Sequence, residues 1–201
     1  MRVPAAVFRA VLILAATAPS VASAQHVSKA VALAKRTPKE VSQYDFLVGE
    51  WELLVKPAAV GLMQKMHGVP NLRGTWKATR TADGLGIEDV LRIVDRSGNP
   101  VAVTRFVRTY DDAAKHWAIT AADSVHGKVT KATAEWMRTE MVTIGDASDE
   151  DGKKFISRAR ISGPTPTSFK YMQDRSYDGG ATWGEVVLTI YAQRTTSSTA
   201  K

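Results

Sequence analysis

The chain contains no cysteine among its 201 residues. That absence removes disulfides, thiolate nucleophiles, cysteine metal sites and a lipid anchor on cysteine, so the fold has to rest on its hydrophobic core alone. Histidine is nearly as scarce. His26, His67, His116 and His126 form neither an i, i+4 pair nor a His-x-His, so no metal site is expected. His126, in DSVHGKV, sits at a turn and is expected to face water rather than ligate a haem. Gly-x-Ser-x-Gly, P-loop and dinucleotide patterns are missing too, which leaves nucleophilic chemistry without support and makes no cofactor the expectation. Nor is there a stripe of one charge. The formal net charge is +7, but lysines and arginines are scattered among acidic residues, so nucleic acid is not an expected partner.

Long apolar runs are lacking as well. The run from Ala10 to Ala18 falls well short of the ~20 residues that cross a bilayer, and no later segment approaches it, so no stable membrane insertion is expected. Its flanks give it another meaning: Arg2 and Arg9 precede it, and Pro19 and the small triplet Ala22-Ser23-Ala24 follow. This is the pattern of a cleavable signal peptide over residues 1–24, and it predicts a periplasmic or secreted protein beginning at Gln25. Residues 25–43 read as a spacer or short helix interrupted at Pro38, residues 44–195 as one domain, and 196–201 as a tail.

From Tyr44 onward, short runs rich in Val, Ile, Thr, Trp and Tyr alternate with turn signals at intervals of about ten residues. GEWELLVK, GTWKATRTA, LGIEDVLRIV and PVAVTRFVRTY open the series, and WGEVVLTIYAQR closes it. ADG, DRSGN, DDAA, DASDEDG, SGPTP and YDGGAT stand between runs, each able to close a hairpin. About ten strands joined by short turns predict an all-β fold, an antiparallel up-and-down barrel that hides its edges by closing, in preference to a sandwich with longer crossovers. The segment PAAVGLMQKMHGVPNLR, Pro57 to Arg73, breaks this rhythm and reads as a helical cap or a mobile loop over one barrel mouth.

YDFLVGEW, Tyr44 to Trp51, resembles the first strand of the lipocalin-like calycins, which carries Gly-x-Trp at the closed end of the barrel; here that is Gly49-Glu50-Trp51. The resemblance implies that a basic residue late in the last strand covers the tryptophan, and Arg194 in IYAQR is placed to do so, with a cation–π contact as the physical gain. FLVGEW, RTYDDAAKHW and DRSYDGGATW together resemble a family of exported bacterial proteins of unknown function, the DUF1579 type. That likeness spans roughly residues 44–194, diverges between residues 126 and 165, and implies a lipocalin-like barrel without any established chemistry.

SYDGGATW matches an Asp-box through Ser176, Asp178, Gly180, Thr182 and Trp183. In such a turn the Asp carboxylate caps backbone amides and glycines supply positive φ, which are structural tasks. One box in a chain too short for a propeller, with no pair of carboxylates that can be singled out, does not make a glycosidase.

Charges on otherwise apolar strand faces are more informative. Val101, Val103, Arg105 and Val107 alternate along one run, and Ile87, Asp89, Leu91 and Ile93 along the one before it, so a hairpin at DRSGN is expected to set Asp89 opposite Arg105. Arg105 is then either half of a buried pair or an anchor for a ligand anion. With Trp76, Trp117 and Tyr171 it forms the expected ligand-binding set, inside a barrel that carries a small hydrophobic or anionic amphipathic molecule. The alternatives are a small envelope enzyme, an isomerase or hydrolase using the same cavity, and a structural or interaction protein whose barrel is filled.

Overall fold

The computed structural model describes residues 37–59, 66, 68–69, 72–149 and 151–195. The expected signal peptide, most of the spacer, the heart of the Pro57–Arg73 segment and the C-terminal tail lie outside the described residues. Ten strands close into a barrel in which every neighbouring pair is antiparallel and sequence neighbours are spatial neighbours. They are β1 (Gly49–Pro57), β2 (Leu72–Arg80), β3 (Gly86–Val94), β4 (Pro100–Asp111) and β5 (His116–Asp123), followed by β6 (Lys128–Met137), β7 (Glu140–Ser148), β8 (Lys154–Ser162), β9 (Ser168–Ser176) and β10 (Leu188–Arg194). Closure comes from β1, which pairs with both β2 and β10.

One end of the barrel is stoppered. Residues Lys39–Leu47, the last part of the expected spacer and the start of the expected domain, form a 3₁₀ helix whose buried residues are Val41, Tyr44 and Leu47. Their spacing of three matches three residues per turn, so a single apolar edge points into the barrel. Tyr44 packs edge-on against Trp117 at 4.8 Å, and Phe46 against Phe169 at 5.7 Å. Trp51 Nε1 donates to Leu47 O at 2.8 Å, and Trp117 Nε1 to Gln43 Oε1 at 3.0 Å. The indoles thus bury their area and still satisfy their single donor.

Gly49, Trp51 and Arg194 lock this end. The Arg194 guanidinium lies 4.1 Å over the Trp51 ring and donates to Val48 O at 2.8 Å, Phe46 O at 2.9 Å and Pro166 O. It therefore ties the end of the 3₁₀ helix, the β8–β9 turn and the first strand together. Gly49 has φ +123°, and a Cβ there would overlap the guanidinium, so both backbone and space call for glycine.

The expected Asp89–Arg105 register needs correction. Val94 pairs with Pro100, but Ile93 pairs with Ala102, so β4 gains one residue at a bulge. Beyond it Asp89 stands opposite Phe106, and Val90 opposite Arg105. One extra residue exchanges the two faces of a strand. Arg105 is exposed on the outside, while Phe106 and Arg108 turn inward.

Candidate ligand site

The floor of the candidate site is a polar knot inside an aromatic core. Asp89, buried among Ile87, Leu91 and Ile93, accepts from Arg108 Nε at 2.6 Å and Nη2 at 3.2 Å, and from Trp76 Nε1 at 2.7 Å. Arg108 also reaches the Tyr44 hydroxyl at 3.4 Å, and its guanidinium lies 4.7 Å from the Phe106 ring and 5.0 Å from that of Tyr44. Burial is the largest influence and works against the Arg108 charge, but the Asp89 carboxylate and the Tyr44 hydroxyl together outweigh it and hold the guanidinium above its ordinary pKa. A buried ion pair persists only when its remaining hydrogen-bonding capacity is filled, and Trp76 and Tyr44 help to fill it.

Above the floor stands Tyr171. Its ring lies 6.0 Å from Trp76, and burial pushes its hydroxyl up to about 12, with nearby Arg108 pulling the other way. It is the neutral phenol at any ordinary pH.

The inward faces of the strands divide the interior in two. Toward the stoppered end, Trp51, Leu53, Trp76, Trp117, Ala134, Met141, Ile161 and Phe169 are all buried. Toward the other end, inward positions on β4 to β8 carry small side chains: Thr104, Ala121, Ala132, Gly145, Ser157 and Ala159. Each of these remains only half-buried, as do Phe106, Tyr171 and Gln173. Inward-facing residues that keep accessible surface line space, and small ones make that space wider.

The wall is also incomplete on this side. The β6–β7 ladder runs from Met137–Glu140 up to Ala132–Gly145 and stops, although β6 extends back to Lys128 and β7 on to Ser148. Lys128 to Lys131 stay paired with β5, and Asp146 to Ser148 with β8, so the two hairpins part company. All four residues of that β6 stretch are exposed, on both faces. Gly145 is the point of departure: a Cβ there would meet Ala132 Cβ and Lys131 O at 2.8 Å, so the strands approach closely before they diverge. A pocket of about 780 Å³ occupies the cleft, with Lys128, Thr130, Ala147, Lys154, Phe155 and Tyr177 on its lining. Its size falls in the range of small-molecule sites.

Arg175 approaches this cleft from β9. It follows Phe169, Tyr171 and Gln173 along the inward face, pairs across the ladder with Ser157, and sets its guanidinium 4.5 Å from the Phe155 ring. Tyr177 continues the same cluster, 5.6 Å from Phe155.

Of the residues expected to bind a ligand, Arg105 lies outside the barrel. Trp76 and Trp117 are buried in the stoppered half with their N–H groups engaged. Tyr171 alone of that set lies next to the accessible interior. Arg175 and the small-residue wall were not anticipated; the signal was there in the alternating Ala, Thr, Ser and Gly of KVTKATAEW, TIGDA and ISRARIS. Asp178, Gly180 and Trp183 sit in the β9–β10 connection. The Ser176 hydroxyl donates to Asp178 Oδ1 at 2.7 Å, Gly180 N–H to Ser176 Oγ at 2.8 Å, Thr182 N–H to Asp178 Oδ1 at 2.9 Å, and the Thr182 hydroxyl to Oδ2. Gly179 and Gly180 have φ +74° and +94°, and Trp183 packs beside Gly180 and under the Arg158 guanidinium, 3.9 Å away. Among the described residues no group of three or more His, Asp or Glu side chains is placed to hold a metal.

Fold and site together define a closed ten-stranded antiparallel barrel, stoppered at one end and cleft at the other. No family model matches the chain, and no curated protein matches it. Among solved structures, that of EF1p2_mFAP2b bound to DFHBI is similar at 14% identity and a TM-score of 0.41, covering 78% of this chain and 100% of that one.

Proposed function

We propose that the barrel binds or carries a small hydrophobic or amphipathic molecule, housed in its cleft half above Tyr171. One observation carries this reading. On passing from the stoppered end to the cleft, most inward positions of β4 to β8 change from large, buried side chains to small, half-buried ones, with Phe106 and Phe155 the large residues that remain among them. A barrel whose only task was stability would fill that volume, because close packing is what maximises dispersion contacts. Binding would be passive, by apolar burial, with polar groups at the mouth setting orientation. Export to the periplasm and membership of the DUF1579-type family belong to the same proposal, and rest on the N-terminal pattern and the motifs FLVGEW, RTYDDAAKHW and DRSYDGGATW.

Titration with the neutral dye Nile red tests it. The expected result is saturable one-to-one binding that dodecanol displaces. Ala159→Phe, which places a ring in the accessible interior, should abolish binding while the far-ultraviolet dichroism of the barrel persists. Failure of the folded wild-type protein to bind dye or alcohol would mean that the interior is effectively filled.

A further inference from the structure

Arg175 poses a problem that the rest of the barrel does not answer. Its Nε is fully buried and has no hydrogen-bond partner, and no ion pair among the described residues involves it. Arg160 Nε is likewise buried without a partner, but its guanidinium still reaches a carboxylate: Arg108 is answered by Asp89, and Arg158 and Arg160 by Asp174, at 2.8 and 3.2 Å, whereas Arg175 meets no carboxylate among the described residues. Burying a charged donor without an acceptor is costly, and such a group in a native fold calls for a partner. Phe155 offsets part of the cost through its ring face, 4.5 Å from the guanidinium, but a ring does not accept the Nε–H in the plane of the fork.

The surroundings say what kind of partner is missing. Phe155 lines the β6–β7 cleft, so Arg175 lies directly behind the pocket wall. Lys128 and Lys154 flank the same pocket, against a single acidic lining residue, Asp146. Inward from Arg175 come Gln173, whose amide donates to Ser157 Oγ at 2.7 Å, then Tyr171, then the floor, where Asp89 and Arg108 answer each other's charge. A positive mouth above a small-residue interior whose floor charges are paired with each other is the polarity of a site for a molecule with an anionic head and an apolar tail.

We propose that Arg175 is the anchor for the oxyanion headgroup, a carboxylate or phosphate, of a single-tailed amphiphile whose chain runs into the barrel interior. The Nη groups of the planar fork would take the two oxygens side by side, while Lys128 and Lys154 raise the local concentration of the anion. This rests on the ligand-binding reading above.

Displacement of Nile red by laurate, dodecanol and acetate separates the two. Laurate should compete at concentrations about 10- to 100-fold lower than dodecanol, the range a hydrogen bond to a charged group supplies. Arg175→Gln should erase that preference while dodecanol binds as before, and Arg175→Lys, which keeps the charge but not the fork, should retain part of it. Equal competition by laurate and dodecanol in the wild type would overturn the anchor and leave the cavity reading standing. A laurate preference that survives Arg175→Gln, or acetate competing as well as laurate, would overturn it too. Should Arg175→Gln fail to fold, the wild-type ratio and Arg175→Lys decide. Absence of binding by every probe would remove both readings together.

Discussion

Asp89 and Arg108 sit diagonally across the β3–β4 ladder with Nε and Oδ2 2.6 Å apart, although the hairpin turn itself is in register to set Asp89 opposite Arg105. The difference is one residue, inserted where Val94 pairs with Pro100 and Ile93 with Ala102. A bulge at the mouth of a hairpin therefore decides which of two arginines on one strand is buried in the core and which is solvated. It also brings Phe106 inward, where its ring lies 6.2 Å from that of Trp76.

Thermal or urea melts should separate the two arginines sharply. Arg108→Met strands the Asp89 carboxylate in the core and is expected to cost about 3 to 5 kcal/mol, with part recovered by adding Asp89→Asn. Arg105→Met, on the exposed outer face, should stay within about 0.5 kcal/mol of wild type. Equal costs for the two would contradict the bulged register.

The contrast between β3 and β4 shows how far the sequence could be read. On β3, Ile87, Asp89, Leu91 and Ile93 alternate with Glu88 and Arg92, so the inward face was plain. On β4, valines at 101, 103 and 107 lie outside while Ala102, Phe106 and Tyr110 lie inside. Both faces are apolar, alternation gives no contrast, and an insertion of one residue leaves no compositional trace. The 3₁₀ stopper escaped for a related reason: Val41, Tyr44 and Leu47 repeat every three residues, which fits neither the helical nor the strand period. The contact of Arg194 with Trp51 was legible because a motif resemblance named both residues. The candidate site was not, since alanine, serine, threonine and glycine carry little hydrophobic signal, and their meaning lies in the volume they leave open.

The lock at the stoppered end makes a second prediction. Gly49→Ala forces a side chain into φ +123° and into the Arg194 guanidinium, so it should cost more than about 1 kcal/mol. Arg194→Ala loses a cation–π contact worth ~0.5 to 2 kcal/mol and its bonds to three carbonyls, so about 1.5 to 3 kcal/mol is expected in all. Because the first substitution acts partly by displacing Arg194, the double mutant should cost less than the sum, in a cycle measured by urea denaturation. Strict additivity would mean that Gly49 is required for its backbone angle alone.

Asp178 makes the last prediction, and it concerns pH. Its carboxylate accepts from the Thr182 hydroxyl, the Thr182 N–H and the Ser176 hydroxyl, and these bonds, the Thr182 hydroxyl foremost, lower its pKa from 3.8 to about 2. A group whose pKa is lower in the folded than in the unfolded chain favours the folded chain only while it is ionised. Its contribution is therefore fully present above pH 3.8 and is lost as the pH falls through about 2. Asp178→Ala should lower the Tm at neutral pH, because the β9–β10 connection loses its organising acceptor. The gap between mutant and wild type should narrow as both are melted at successively lower pH, and close near pH 2. A gap that stayed constant down to that pH would show that the side chain acts by packing rather than by charge. Binding of Nile red by the folded mutant should match wild type, since Asp178 is on neither the cavity wall nor the cleft lining.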